Sequence, residues 1–160
     1  MRGKRAPKRV ITPDPKYNNE VVAKFINYVM RRGKKAVAQK VVYKTLERLE
    51  KKSGMPALDA FEKAIGNIMP AIEVRGRRVG GANYQVPVPV TGDRKFALAF
   101  RWVIAAAKAR KGKPMDIKLA DELHAALSNE GEAMKKKQDV QRMAESNRAF
   151  AHFARFGRRR

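Results

Sequence analysis

The sequence predicts a mainly α fold, a single domain of about six helices with a protruding two-stranded β-hairpin between the third and the fourth. Three observations carry that expectation. Apolar residues recur at helical spacing through most of the chain, and the period shortens to two only between Ala71 and Val90. Glycine or proline punctuates nearly every join. A chain of 160 residues that is 44% apolar is also long enough to bury a sizeable core.

Pro13 and Pro15 bracket Asp14 and hold the entry to the body extended. Helical period begins next: Val22, Phe25, Ile26, Val29 and Met30 form one apolar face, with Asn18 or Asn19 as cap and Gly33 as the stop. A second helix is expected from about Lys35 to Lys52, with Ala38, Val41, Val42, Thr45, Leu46 and Leu49 inward, a mostly Lys outer side and Gly54 after it. Pro56 suits the first turn of a third helix, whose stripe is Leu58, Phe61, Ile65, Ile68 and Met69 and which Pro70 ends.

The hairpin comes from alternation. Ile72 and Val74 alternate, then Tyr84, Val86, Val88 and Val90, with Gly80-Gly81 between the two runs as the turn. Pro87 and Pro89 remove N–H donors from one edge, so no third strand can pair there. A lone ribbon is marginal, so it must lean on the helices or reach toward a partner. Helical period returns at Asp93, read as a cap. Phe96, Ala99, Phe100, Val103, Ile104 and Ala107 form the strongest core face in the chain, and Gly112 and Pro114 break it. A fifth helix is expected from about Met115 to Ser128, with Leu119, Leu123 and Leu127 aligned. A sixth is expected from about Glu132 to Phe153, with Val140, Met143, Ala144, Asn147 and Ala151 together.

Function is read first from charge. Thirty-seven Lys and Arg against 15 Asp and Glu leave a formal +22. A field of that size repels itself in a compact fold and attracts polyanions at long range. Because the charge is spread along the whole chain and not gathered on one amphipathic helix, nucleic acid is favoured over an anionic membrane surface. Cysteine is absent, which excludes disulfide scaffolds, thiol nucleophiles and Cys-ligated zinc. His124 and His152 are the only imidazoles, so no metal or other cofactor is expected. The longest uncharged apolar run, Trp102 to Ala107, falls far short of the roughly 20 residues a membrane span needs. No apolar segment follows the basic start, so no secretory signal is read there, and a soluble intracellular domain is expected.

Enzyme signatures fail. Gly33-Lys34-Lys35 lacks both the earlier glycine and the following Ser or Thr of a phosphate loop, since Tyr28 and Lys35 stand in those places. Asp121 and His124 are spaced for a hydrogen bond on one helix, yet no pocket or metal partner is evident for Asp121, Glu122, Glu130 or Glu132. The stretch 114–132, with five acids against one Lys, is expected to face away from the polyanion or toward a basic neighbour.

The basic residues form the candidate interface. Arg2, Lys4, Arg5, Lys8 and Arg9 lie in a flexible arm at 1–12, and Arg155, Arg158, Arg159 and Arg160 in another at 154–160. Arg31, Arg32, Lys34 and Lys35 cluster at the first helix–helix turn. Arg94 and Lys95 open the fourth helix, with Arg101, Lys108, Arg110, Lys111 and Lys113 along and after it. Lys135, Lys136 and Lys137 sit near the start of the sixth, against its dipole, and a docked phosphate relieves that clash. Arg142 and Arg148 follow. In the hairpin, Arg75, Arg77 and Arg78 concentrate guanidinium forks suited to phosphate beside Gly80 and Gly81, which let a backbone approach closely. Tyr84 either stacks on a base or packs with the Val86/Val88/Val90 row. The Gly turn at Arg31–Lys35 superficially fits a helix-turn-helix, but dispersed charge suits a large folded RNA read by shape and phosphate placement. The competing readings are an architectural duplex-DNA binder and, more remotely, a nucleic-acid-processing enzyme.

The run Glu73-Val-Arg75-Gly-Arg77-Arg78-Val-Gly80-Gly81-Ala-Asn-Tyr84-Gln85-Val86-Pro87 closely resembles the hairpin of the bacterial-type small ribosomal subunit protein seven family. So do Glu20-x-Val22-x3-Ile26-x6-Gly33-Lys34-Lys35-x5-Val41-Val42-x2-Thr45, Leu98-x-x-Arg101-Trp102, Lys135-Lys-Lys-x-Asp139 and Met143-Ala-Glu-x-Asn147-Arg148-Ala149-Phe150-Ala151-His152. The similarity is collinear from about Pro13 to Phe153. It implies a non-catalytic structural constituent of the small subunit, which binds the 3′ domain of small-subunit rRNA and helps assemble the head. By the same resemblance the hairpin residues Arg75, Arg77, Arg78, Gly80, Gly81 and Tyr84, with Arg142 and Arg148, face exit-site tRNA and the messenger path. The N-terminal arm, Lys34, Lys35 and the fourth-helix cations then hold rRNA. Implied partners also include neighbouring proteins of head and platform, with no membrane and no obligate homo-oligomer. Family members can repress their own messenger. The implied location is the cytoplasmic ribosome, an organellar ribosome being the other the residues admit. The end Ala154-Arg155-Phe156-Gly157-Arg158-Arg159-Arg160 departs from the aromatic-rich family tip.

Overall fold

Asp14, between its two prolines, anchors the approach to the first helix. It is 2% exposed, and its carboxylate accepts the N–H groups of Lys16 at 3.1 Å and Tyr17 at 3.2 Å and the hydroxyl of Tyr43 at 2.8 Å. Three donors are what make a buried carboxylate tolerable. Burial, helped by this bond, pushes the Tyr43 hydroxyl up to about 12. The computed structural model describes residues 6, 7 and 10–157, with side chains as far as Ala154.

The element order is α1 (Glu20–Val29), α2 (Lys35–Ser53), α3 (Ala57–Ile68), β1 (Ile72–Val79), β2 (Ala82–Pro89), α4 (Asp93–Ala109), α5 (Met115–Leu127) and α6 (Glu132–Ser146), then a 3-10 segment (Arg148–Gly157). The mainly α fold with one hairpin between α3 and α4 is therefore as the sequence predicts. Asn19 caps α1, its Oδ1 accepting from Val21 and Val22 at 2.7 and 3.2 Å. That helix stops at Val29, short of Gly33, because Met30 already leaves helical geometry with ψ 137°; Arg32 and Gly33 then turn the chain with positive φ. Asp93 is the first residue of α4 and not its cap; its carboxylate instead meets Lys24 of α1 at 3.2 Å.

The core is built where the periodic stripes meet. Phe25 of α1 lies 5.3 Å from Phe61 of α3 and 5.2 Å from Phe100 of α4, ring to ring, and all three are fully buried. Helix α5 packs against α2, α3 and α4 together, through Leu119 and Leu123. Among the described residues no helix is long and apolar enough to cross a membrane.

The sixth helix is shorter than its periodicity predicts. It ends at Ser146, and Asn147 closes it by donating from its side-chain amide to the Met143 carbonyl at 2.8 Å. A side chain that takes a backbone acceptor in this way competes with helix propagation. Little on α6 resists the break. Only Ala133, Met134 and Ala144 are buried, and Met143, expected inside, is 46% exposed. Beyond the break, Phe150 and Phe153 turn to the hairpin instead.

That hairpin pairs β1 with β2 from Ile72↔Pro89 to Val79↔Ala82. Gly80 and Gly81 both have positive φ, +56° and +89°, as a two-residue hairpin turn requires. The ribbon leans on α6 and on the 3-10 segment, and Val86 is its fully buried anchor.

Candidate nucleic-acid interface

At the α1–α2 turn, Arg31, Arg32, Lys34 and Lys35 are all exposed. None of the four has an ion-pair partner among the described residues. Lys34 stands at the N-cap of α2 without a side-chain cap, and the first turn holds no acid. The positive end of the helix dipole thus lies among four cations, a concentration that favours an anion.

On α4, Arg94, Arg101 and Lys108 recur every seven residues and share one exposed stripe. Arg94 is tied down, its Nε and Nη2 donating to Glu73 at 3.0 and 2.9 Å. Arg101 meets no carboxylate among the described residues and lies over the ring of Tyr28, 5.9 Å from its centroid. Lys95 is half-buried, while Lys108 and Lys111 are exposed. Arg110 and Lys113 serve the fold. Arg110 donates to the fully buried Glu122 at 3.0 and 2.6 Å, and Lys113 reaches Asp121 at 3.3 Å.

Those pairs change the reading of the acidic stretch. Asp116 binds Arg48 at 2.9 Å, Asp121 binds Lys52 and Lys113, and Glu122 binds Arg110. Three of its five acids are internal ties, because α5 is central and meets cations from α2 and the end of α4. It is not simply an acidic patch turned outward. Burial opposes ionisation of Asp121, but hydrogen bonds from Lys52 and Lys113 outweigh it and hold the carboxyl below its ordinary range. With both its oxygens so engaged, the Asp121–His124 bond that the spacing permits is not made among the described residues.

On α6, Lys135 and Lys136 are exposed, whereas Lys137 turns in and donates to the Asn67 carbonyl, where burial pushes its ammonium down. Arg142 is 77% exposed and only loosely approached by Asp139 at 3.9 Å. Arg148 is exposed and lines a groove of about 450 Å³ with Ile72, Pro87, Pro89, Ala144, Glu145 and Ala151.

The hairpin arginines divide. Arg75 pairs with Glu73, and Arg77 donates from Nη1 to the Phe153 carbonyl at 3.3 Å. Arg78, across from Asn83, points to the other face and is exposed beside Gly80 and Gly81. Tyr84 packs 5.1 Å from both Phe150 and Phe153, so its ring holds the 3-10 segment and not a helix. Arg2, Lys4, Arg5, Lys8, Arg9, Arg158, Arg159 and Arg160, with the side chain of Arg155, lie outside the described residues.

Sequence reasoning missed Glu73, which is 5% exposed and gathers Arg75 and Arg94 at the hairpin root. The signal was present: Glu73 shares the inner face of β1 with the partners of Tyr84 and Val86, and a lone acid on an inward face needs cations.

The family model for ribosomal protein S7p/S5e matches residues 1–148. Small ribosomal subunit protein uS7 of Pseudothermotoga lettingae is 57% identical over 152 residues, covering 95% of this chain and 98% of that protein. The protein of the same name from Thermosipho africanus is 55% identical over 153 residues, covering 96% and 99%. That of Nitrosomonas europaea is 54% identical over 152 residues, covering 95% and 97%. A family match over residues 1–148 and relatives more than half identical along nearly their whole length show that the chain belongs to the ribosomal protein S7p/S5e family.

Proposed function

We propose that the chain binds the 3′ domain of small-subunit rRNA directly and helps assemble the head, with the hairpin and α6 turned toward exit-site tRNA and the messenger path. As a member of its family it is a structural, non-catalytic constituent of the small ribosomal subunit. The observation that carries the finer reading is how the cations sort. Arg31, Arg32, Lys34, Lys35, Arg101 and Lys108 are exposed on the α1–α4 side and meet no acid among the described residues, as a surface for phosphate requires. Arg78, Arg142 and Arg148 form a second exposed set on the hairpin and α6 side. The two sets lie on different elements, which supports one RNA surface for anchoring and another for a passing strand. Arg75, Arg77, Arg94, Arg110, Lys113 and Lys137 act first within the chain.

The test is binding of the full chain to the isolated 3′ domain at about 0.15 M salt, with excess duplex DNA and unrelated tRNA as competitors. Tight binding that survives both supports the reading. Binding erased equally by either means that the +22 charge acts alone.

A further inference from the structure

We propose that Tyr28 and Arg101 form a stacking platform for one unpaired RNA base, a contact that rests on the RNA-binding reading and adds an aromatic residue to a surface otherwise described by charge. Tyr28 lies in the last turn of α1 and is 39% exposed. A single exposed aromatic is ordinary; its setting is not. One flank of the ring rests against the fully buried Phe100, centroids 5.5 Å apart at 61°, and Phe100 in turn packs on Phe25. The ring is therefore held by the core while part of it stays open to solvent.

The Arg101 guanidinium lies 5.9 Å from the centroid of that ring. Arg75, Arg94 and Arg110 each reach a carboxylate, whereas Arg101 meets none among the described residues. A planar cation over an exposed aromatic ring presents its own outer face to a base and a charge to the phosphate of that base.

The surroundings are electrostatically suited. Lys24 of α1 meets Asp93 of α4, and Tyr28 of α1 meets Phe100 and Arg101 of α4. The last two turns of α4 follow Arg101 over about 12 Å at 1.5 Å per residue. They carry Lys108 along the Arg101 stripe, while Arg31, Arg32, Lys34 and Lys35 follow Tyr28 in the chain. Phosphates on either side of a stacked base have cations to meet. A paired duplex presents no free base face, so the occupant is a nucleotide from a loop or bulge of folded RNA.

The experiment measures binding of the full chain to the isolated 3′-domain RNA over a range of salt, for the parent chain, Tyr28→Leu and Tyr28→Phe. Each variant is melted to check its fold, and the parent complex is cross-linked by ultraviolet light and mapped by mass spectrometry. Leucine keeps apolar packing on Phe100 and removes the π-face; phenylalanine keeps both. Expected are an about tenfold loss for Tyr28→Leu and near-parent affinity for Tyr28→Phe. The slope of log K against log salt should not change, because no charge is removed. A nucleotide adduct on Tyr28 is also expected. Parent-like affinity for Tyr28→Leu, or a loss that only tracks a fall in melting temperature, overturns the platform while leaving rRNA binding intact. Failure of the parent chain to bind the RNA overturns both.

Discussion

Glu122 of α5 caps a helix to which it does not belong: its Oε1 accepts the N–H of Ala133, in the first turn of α6, at 2.8 Å. Its Oε2 meanwhile receives two donors from Arg110 at 3.0 and 2.6 Å. One carboxylate with no exposed surface thus ties α5, the end of α4 and the start of α6. The N-cap position itself is Gly131, which has no side chain to offer.

Glu122→Ala is therefore expected to lower stability by about 1.5–3 kcal/mol, because it removes the carboxylate that both Arg110 and the first turn of α6 donate to. Urea unfolding checks this through the midpoint. A change below about 1 kcal/mol at unchanged m-value would mean that the joint relaxes and that Glu122 is replaceable.

Gly131 makes the same joint from the other side. Its φ is +97°, and a Cβ added there would lie 2.8 Å from Glu122 Oε1 and 3.2 Å from the Ala125 Cβ. Gly131→Ala should cost at least about 1–3 kcal/mol from backbone strain, with the clash in addition. The double variant Gly131→Ala/Glu122→Ala should lose less than the sum of the two, since the carboxylate that clashes is gone. Additive losses would show that strain alone acts at this glycine.

These joints explain what the sequence could and could not reveal. Helix positions, the hairpin turn and most core residues follow from local period, because Val22, Phe25, Phe61, Phe100 and Leu123 are buried by the faces their own spacing creates. The break at Asn147 and the role of Phe150 are not local: they depend on a ring of Tyr84 far away in the chain. The candidate interface was legible in the same uneven way. Arg31, Arg32, Lys34 and Lys35 are exposed as a turn of unpaired cations should be. Arg110 and Arg94 carry the same charge but are claimed by Glu122 and Glu73, which spacing along one helix cannot disclose.

Acid should loosen the α2–α5 contact at Asp121. Its carboxyl is held below the 3.8 of a free aspartate by Lys52 and Lys113 against the opposing effect of burial. A depressed folded-state value contributes stability that is complete above the unfolded value and is lost as pH falls through the folded one. Asp121→Asn is thus expected to be less stable than the parent chain at pH 7. The gap should close as pH falls below about 4. Thermal melts of both proteins across that range test it. A gap that persists unchanged to the lowest pH would assign the loss to packing and not to charge.

The hairpin arginines offer the sharpest separation of fold from function. Arg77 holds the Phe153 carbonyl beside the Tyr84 ring, and Arg75 holds Glu73 at the hairpin root. Replacing either should increase amide exchange in the 3-10 segment or at the root before it alters any RNA contact. Arg78 has no such tie among the described residues and stands exposed at the turn. Arg78→Ala is expected to keep the parent melting temperature and 3′-domain affinity. In assembled small subunits it should weaken binding of exit-site tRNA, with a shallower salt dependence, since one phosphate contact is lost. If Arg78→Ala instead abolishes 3′-domain binding, the hairpin is a primary rRNA anchor and the two exposed sets of cations do not divide the work. If it leaves both affinities at parent values, Arg78 is solvated charge, and the strand-facing role rests on Arg142 and Arg148 alone.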